Sequence, residues 1–138
     1  MSTAAAIRRS HPRRALLVVA ARLVNPLVVR LAGTRWLPLY GVLEHRGRRT
    51  GKRFRTPVVA RPTAGGFVIP MPWGETTDWF LNVRAANSCV LRWKDRDYPL
   101  TDPEPVDTAA VASAFTPLQR LFLPRLGIRR SLRLRHAT

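Results

Sequence analysis

The hydrophobic pattern of residues 15–32 (ALLVVAARLVNPLVVRLA) is helical. Apolar residues recur at the spacing of one helical face, namely Leu16, Val19, Leu23, Leu27 and Leu31. Pro26 is predicted to end one helix near residue 24 and to open a second. Arg22, Asn25 and Arg30 interrupt the run, so no apolar stretch is long enough to cross a bilayer. No clear cleavage site of a signal peptide follows it.

Two interpretations of this amphipathic segment remain open. Its apolar face packs on the protein core or on a dimer partner, which is the interpretation we favour, or it docks on anionic lipid through the flanking arginines. The preceding residues 1–14 are small and basic, and they are predicted to form a mobile arm. The predicted organisation is therefore an arm over residues 1–14, a helical segment over 15–34 and a β domain over 35–138.

Beyond residue 37 the pattern changes to short alternating runs bounded by turn residues. These runs predict six strands, over residues 37–45, 54–61, 67–70, 88–93, 96–101 and 131–135. Helices are predicted over residues 78–86, 106–115 and 117–123, with Thr77 or Asp78 as the N-cap of the first. Residues 102–105 are acidic and proline-rich, and we expect a break in the chain there. Six short strands with interleaved helices predict a mainly β, α+β fold built on a closed or nearly closed antiparallel barrel.

Charge narrows the possible partners to anionic ones. The 138 residues carry 24 lysines and arginines against 8 acidic residues, a formal charge of +16. All but Lys52 and Lys94 of the basic residues are arginine, which suits bidentate contacts with phosphate and carboxylate, although genomic GC content also enriches arginine. The single cysteine, Cys89, lies in an apolar run and is predicted to be buried. The three histidines (11, 45 and 136) have no metal-ligand spacing, so they are interpreted as structural or solvated, and no metal site is predicted.

Residues 46–55 (RGRRTGKRFR) form the most strongly basic segment, with six basic positions out of ten. Gly47 and Gly51 allow a tight turn with exposed N–H groups, and this combination suits a phosphate. The spacing is not that of a Walker A loop. A solvated basic turn and insertion into a nucleic-acid minor groove are the alternatives. The nucleic-acid interpretation is weak because Phe54 is the only aromatic residue among the charges.

Two further motifs follow along the chain. Residues 70–74 (PMPWG) are stiffened by two prolines and offer the flat face of Trp73 to a planar ring, or else form a rigid turn. Residues 78–87 (DWFLNVRAAN) are predicted to turn Trp79 and Val83 toward the core. A buried Asn82 needs hydrogen-bond partners, so we expect it to tie the loop after the third strand to the helix.

The order and spacing of these three motifs resemble the deazaflavin-dependent nitroreductase family over roughly residues 25–102. The resemblance implies a split β-barrel, as in flavin-binding pyridoxamine-oxidase-like proteins. It also implies a reduced 5-deazaflavin coenzyme (coenzyme F-420), with FMN the less favoured choice. Members of the family pass hydride from this coenzyme to nitro compounds, quinones or activated alkenes.

Carried over position by position, the resemblance implies a set of cofactor-binding residues and no catalytic residue. The phosphate or glutamate tail would be held by Arg48, Arg49 and Thr50. The phosphate, ribityl chain and ring edge would be lined by Arg53 or Arg55 with Thr56, Pro57 and Val58. The ring would contact Pro70, Met71, Pro72 and Trp73, and the far side would be closed by Asp78, Trp79 and Asn82. The sequence departs from the family at Phe54, where the familiar pattern has arginine, and it has no tyrosine after Tyr98.

The function predicted from the sequence is therefore a deazaflavin-dependent reductase of a quinone, enone or nitro-type acceptor. The alternatives are a non-catalytic deazaflavin- or flavin-binding protein and a basic module that binds a membrane surface or nucleic acid. The expected partners are a small-molecule hydride acceptor, an anionic membrane surface and a second copy of the chain, and nucleic acid is disfavoured. The expected location is the cytoplasm, with peripheral binding to the inner face of the plasma membrane as a variant.

Overall fold

A computed structural model of the chain describes residues 30–36 and 38–137. The predicted arm and most of the predicted amphipathic segment lie outside the described residues. Within the described part, none of the helices combines the length and the apolar character that a membrane crossing needs.

The described chain folds around one antiparallel sheet of seven strands in the order β2-β1-β5-β6-β7-β4-β3. The strands are β1 (Tyr40–Arg46), β2 (Arg53–Val59), β3 (Arg61–Pro62), β4 (Gly66–Pro70), β5 (Ser88–Trp93), β6 (Arg96–Asp107) and β7 (Arg130–His136). The mainly β, α+β class agrees with the prediction from the sequence. The strand count of six is wrong, and the sheet is not closed into a barrel.

The extra strand arises where the chain changes partner at Ala60. The segment predicted as one strand over residues 54–61 pairs with β1 as far as Val59, and from Arg61 onward it pairs with β4. Between them the N–H of Ala60 donates to the carbonyl oxygen of Leu39 at 3.1 Å. Because β2 and β3 are the two edges of the sheet and are one residue apart in the chain, the sheet must roll until its edges approach each other. Ala60 connects the two edge strands covalently, and no hydrogen-bond ladder pairs β2 with β3.

The acidic break expected over residues 102–105 is instead an irregularity inside the long strand β6. Its register against β7 shifts between Thr101 and Glu104, and Asp102 has a φ of 55°. Such a bulge lets a strand bend while its pairing resumes on the far side. Strand β6 therefore continues to Asp107, and the helix predicted over residues 106–115 is reduced to a 3-10 helix at Thr108–Ala114.

Within residues 38–137 two α-helices flank the sheet, and local sequence signals explain their ends. Helix α1 (Asp78–Ala86) begins after Thr77 and ends at Asn87, whose φ of 55° gives the left-handed conformation common at helix ends. Helix α2 (Pro117–Arg125) begins with a capping box, in which Thr116 and Gln119 exchange hydrogen bonds. A short 3-10 helix (Gly74–Thr76) leads into α1.

The main hydrophobic core lies on the inner face of the rolled sheet and against α1. Its fully buried side chains include Leu43, Phe67, Phe80, Leu91 and Leu132. Cys89 belongs to this core as predicted, and burial raises the pKa of its thiol to about 12. A second, smaller core covers the outer face of β4, where Val68 packs with side chains from the 3-10 helix and α2.

The pairing of β4 with β7 predicts an unusually strong effect of substituting Gly66. A Cβ added at Gly66 would lie 1.9 Å from the carbonyl oxygen of Leu134, which is backbone and cannot move aside alone. We expect Gly66→Ala to lower the free energy of unfolding by about 3 kcal/mol or more, measured by chemical denaturation. The control is Gly65→Ala, whose added Cβ meets no atom within 4 Å and which should change stability by less than about 0.5 kcal/mol. Equal stabilities of the two variants would contradict the tight β4–β7 pairing.

Candidate functional site

A cleft of about 440 Å³ opens between the β1–β2 hairpin and helix α1. Two of the three sequence motifs contribute to it, although residues 56–77 separate them in the chain. The lining residues are His45, Gly47, Arg48, Arg49, Thr50, Phe54, Arg55, Thr56, Asp78, Trp79 and Asn82.

The tip of the basic hairpin is a tight turn that the two glycines make possible. The N–H of Gly47 donates to the carbonyl oxygen of Lys52, and the N–H of Gly51 donates to that of Gly47, both at 2.8 Å. Gly51 has a φ of 72°, a conformation that glycine adopts without strain. The turn therefore holds the backbone and side chains of residues 48–50 at the mouth of the cleft.

Asn82 connects the helix to the hairpin and sets the position of Arg48. Its Oδ1 atom accepts a hydrogen bond from the Arg48 backbone N–H at 3.1 Å and another from the Arg48 guanidinium at 2.8 Å. The same guanidinium also contacts the exposed carboxylate of Asp78 at 3.3 Å. Asn82 was expected to tie the loop after the third predicted strand to the helix, and this expectation is wrong because both oxygen contacts go to the hairpin.

The contacts to Asn82 also fix the tautomer of His45. Because Oδ1 of Asn82 already accepts from Arg48, its Nδ2 atom faces Nδ1 of His45 at 3.0 Å and must donate to it. The ring proton is thereby assigned to Nε2, which donates to the Thr56 hydroxyl at 2.9 Å. His45 is only 5% exposed, and its burial lowers the pKa of the ring below the ordinary 6.5, while the Asp78 carboxylate opposes that shift. A neutral His45 is therefore part of the hydrogen-bonded clamp on Arg48.

Alternation along β2 decides which residues turn toward the cleft. Phe54 pairs with His45 and stacks on its ring, with the ring centroids 5.7 Å apart, so Phe54 lies on the inner side of the hairpin. Arg53 and Arg55 lie on the opposite side with Glu44, which approaches Arg53 to 3.9 Å. Arg55 also borders the cleft, whereas Arg53 does not.

The structure brings eight of the fifteen predicted cofactor-binding residues together at the cleft: Arg48, Arg49, Thr50, Arg55, Thr56, Asp78, Trp79 and Asn82. The other seven do not line it: Arg53, Pro57, Val58, Pro70, Met71, Pro72 and Trp73. Val58 and Met71 belong to the main core, and Pro70 is buried at the end of β4. Residues 70–74 lead the chain from β4 to the short 3-10 helix that precedes α1.

Sequence reasoning missed His45 and Phe54 as cleft residues. His45 was set aside because no metal-ligand spacing surrounds it, yet its pairing with Phe54 and its contact with Asn82 place it at the back of the cleft. A histidine at an inward position of a predicted strand, directly before the basic turn, was the available signal. Trp79 was expected in the core and is half-buried between the core and the cleft, while its neighbour Phe80 is fully buried instead.

The cleft combines positive charge with flat apolar faces. Among the residues that the structure describes, Arg49 at the cleft and Lys52 at the adjacent hairpin tip have no acidic partner within 4 Å. The Lys52 ammonium lies 5.7 Å from the centroid of the Phe54 ring. Phe54 is 41% exposed, and the partly buried Trp79 also lines the cleft. These groups can bind an anion and a planar ring together, and they suit a reaction that needs positioning of bound reactants.

Comparison with known proteins identifies the fold. No protein-family model matches the chain, and no curated protein matches it. An F-420-H2-dependent reductase (FDR-A) matches at 12% identity with a TM-score of 0.52, over 68% of this chain and 91% of the other. A domain-swapped dimer matches at 12% identity with a TM-score of 0.51, over 68% and 78% of the two chains. A protein of unknown function from Agrobacterium tumefaciens matches at 16% identity with a TM-score of 0.52, over 80% and 54%. These similarities show a shared fold.

The buried contacts of Asn82 predict that it contributes far more to stability than Asp78, although both contact Arg48. Asn82→Ala removes the hydrogen-bond partner of Nδ1 of His45 and of the Arg48 backbone N–H, so we expect the free energy of unfolding to fall by about 2 kcal/mol. Asp78→Asn removes an ion pair whose carboxylate is 88% exposed, and it should cost less than about 1 kcal/mol. Denaturation by urea measures both, and a larger loss for Asp78→Asn would contradict the clamp.

The lowered pKa of His45 predicts a pH-dependent stability. Between the folded pKa and the ordinary value of 6.5, the unfolded chain binds the proton more readily than the folded chain. This contribution to the free energy of unfolding is therefore complete above pH 6.5 and decreases as the pH falls below it. The free energy of unfolding, measured by denaturation, should decrease less between about pH 7.5 and about pH 5 for His45→Gln than for the wild type. An equal loss in His45→Gln and in the wild type would contradict this contribution of His45.

Proposed function

We propose that the protein is an oxidoreductase that binds a reduced 5-deazaflavin, coenzyme F-420, in the cleft between the hairpin and α1. The observation that carries this proposal is the convergence of the basic hairpin and the α1 motif on one cleft. These are two of the three motifs that resemble deazaflavin-dependent nitroreductases. The shared fold with an F-420-H2-dependent reductase supports the same assignment.

The residues of the cleft fit such a coenzyme. Its phosphate and glutamate tail are multiply anionic, and the hairpin supplies the side chains of Arg48, Arg49 and Lys52 as donors. Arg48 would be preorganised, because Asn82 already holds both its backbone and its guanidinium. Arg49 and Lys52 would contribute charge that no acidic group of the described chain neutralises.

Phe54 gives this chain a cleft that differs from the family pattern. The family has arginine at this position, and here an aromatic ring faces inward and stacks on His45. Phosphate contacts would therefore shift toward the hairpin tip and the neighbouring Arg55, and Phe54 would offer an apolar face instead. Together with Trp79 it can cover part of a planar ring and exclude water from it.

The coenzyme, when bound, supplies a hydride for transfer to an acceptor. The chain's own part is to bind, orient and shield the two reactants, and no protein nucleophile is required. We propose a quinone, an activated alkene or a nitro compound as the acceptor class. Such acceptors are planar and electron-poor, and they fit a site that offers aromatic faces.

Binding is tested by titrating the purified chain against coenzyme F-420 and following quenching of the coenzyme's fluorescence. We expect Arg49→Gln/Lys52→Gln to weaken binding by about tenfold or more, because two charge-assisted contacts are lost without disturbing the Asn82 clamp. The matched control is Arg96→Gln/Arg135→Gln, which removes the same charge from exposed positions outside the cleft. Equal weakening by both pairs would indicate a general charge effect and would contradict a site at the hairpin.

Activity is tested by following oxidation of the reduced coenzyme with a quinone, an enone and a nitroarene. Turnover with at least one acceptor is expected, together with loss of kcat/KM in Arg49→Gln/Lys52→Gln. Tight binding with no oxidation by any acceptor would overturn the enzymatic proposal and favour a non-catalytic deazaflavin-binding protein. Absence of binding up to millimolar coenzyme would overturn the cofactor assignment itself.

A further inference from the structure

A second cavity lies on the outer face of the sheet, away from the cleft. It has a volume of about 520 Å³ and opens between the 3-10 helix Thr108–Ala114 and α2. Its walls include Phe115, Leu123 and Ile128, which pack with Val68 on the outer face of β4. The neighbours of Val68 in that strand, Phe67 and Ile69, point into the main core instead. This outer cavity shares no lining residue with the cleft.

The interior of the outer cavity is mainly apolar. The apolar lining residues are Ala109, Ala112, Phe115, Leu123, Pro124 and Ile128. The hydroxyl of Thr108, which also lines it, is already hydrogen-bonded to that of Ser131 at 2.8 Å. A cavity of this size and lining gains most from an apolar ligand, because the walls offer few groups to a polar one.

The rim of the outer cavity is positively charged. Arg120 and Arg129 line it, and within residues 30–36 and 38–137 neither guanidinium has an acidic partner inside 4 Å. The one carboxylate at the rim, Asp107, is engaged by Arg130 at 2.9 Å. Two uncompensated guanidinium groups therefore flank an apolar interior.

We propose that the outer cavity is a binding site for a single-chain amphiphile with a carboxylate head, such as a fatty acid. The alkyl chain would lie against Phe115, Leu123 and Ile128, where it is removed from water. The carboxylate would be held at the rim by Arg120 and Arg129, whose planar donor groups match its two oxygens. This inference does not depend on the function proposed for the cleft.

The strongest competing partner is an anionic membrane surface. Leu118, Leu121 and Phe122 form a stripe on α2 and are 64%, 48% and 47% exposed. A stripe of this kind could insert into a bilayer without any ligand entering the outer cavity. The experiment must therefore separate a bound single chain from adsorption to lipid.

The test is isothermal titration calorimetry of the full chain with dodecanoate below its micelle concentration. Dodecanol and dodecyltrimethylammonium serve as probes with the same tail and a neutral or a cationic head. We expect saturable binding of dodecanoate at one site per chain, with binding at least about tenfold weaker for the alcohol and weaker still for the cation.

Two sets of variants locate the binding. Arg120→Gln/Arg129→Gln should weaken dodecanoate binding by about tenfold or more and leave dodecanol binding unchanged. Ala112→Trp should reduce binding of both probes by filling the cavity. Arg96→Gln/Arg135→Gln is the charge-matched control and should bind as the wild type does. If Ala112→Trp fails to fold, the comparison of Arg120→Gln/Arg129→Gln with Arg96→Gln/Arg135→Gln still decides the outcome.

Three results would overturn the proposal. One is the absence of saturable dodecanoate binding. Another is dodecanoate binding that Arg120→Gln/Arg129→Gln leaves unchanged, or that Arg96→Gln/Arg135→Gln weakens to the same extent. The third is sedimentation with phosphatidylglycerol vesicles in the absence of any binding to monomeric dodecanoate, which would assign the surface to membrane docking through the α2 stripe.

Discussion

The amide of Asn82 is the contact on which the candidate site depends. Its oxygen accepts from both the backbone and the guanidinium of Arg48, and its nitrogen donates to His45. An amide is the side chain that can serve two donors on one side and an acceptor on the other. Helix α1 and the basic hairpin are thereby held in one arrangement, and Arg48 is positioned before any ligand binds.

Local signals made part of this structure predictable from the sequence. The capping pair Thr116 and Gln119 defines the start of α2, and the turn at Lys94 and Asp95 defines the β5–β6 hairpin. Each of these features is decided by residues within one turn of one another. The order of the motifs along the chain grouped the basic hairpin with the α1 motif, and residues of both motifs line one cleft.

The features that the sequence did not reveal are decided by distant partners. At Ala60 the chain stops pairing with β1 and begins to pair with β4, and no signal in the neighbouring residues predicts this change of partner. The bulge at Asp102 continues a strand through a segment whose composition is typical of a loop, because β7 supplies pairing on both sides. His45 has its role only because Asn82, 37 residues later, faces it.

Cys89 has a consequence of a different kind. It is the only sulfhydryl in the sequence, it is 8% exposed in the middle of the sheet, and its pKa of about 12 keeps it protonated at neutral pH. Thiol reagents attack the thiolate, so the folded chain should be inert toward them. The rate at which an alkylating reagent modifies Cys89 therefore reports how often local unfolding separates β5 from its neighbouring strands. That rate can be read without adding any label to the molecule.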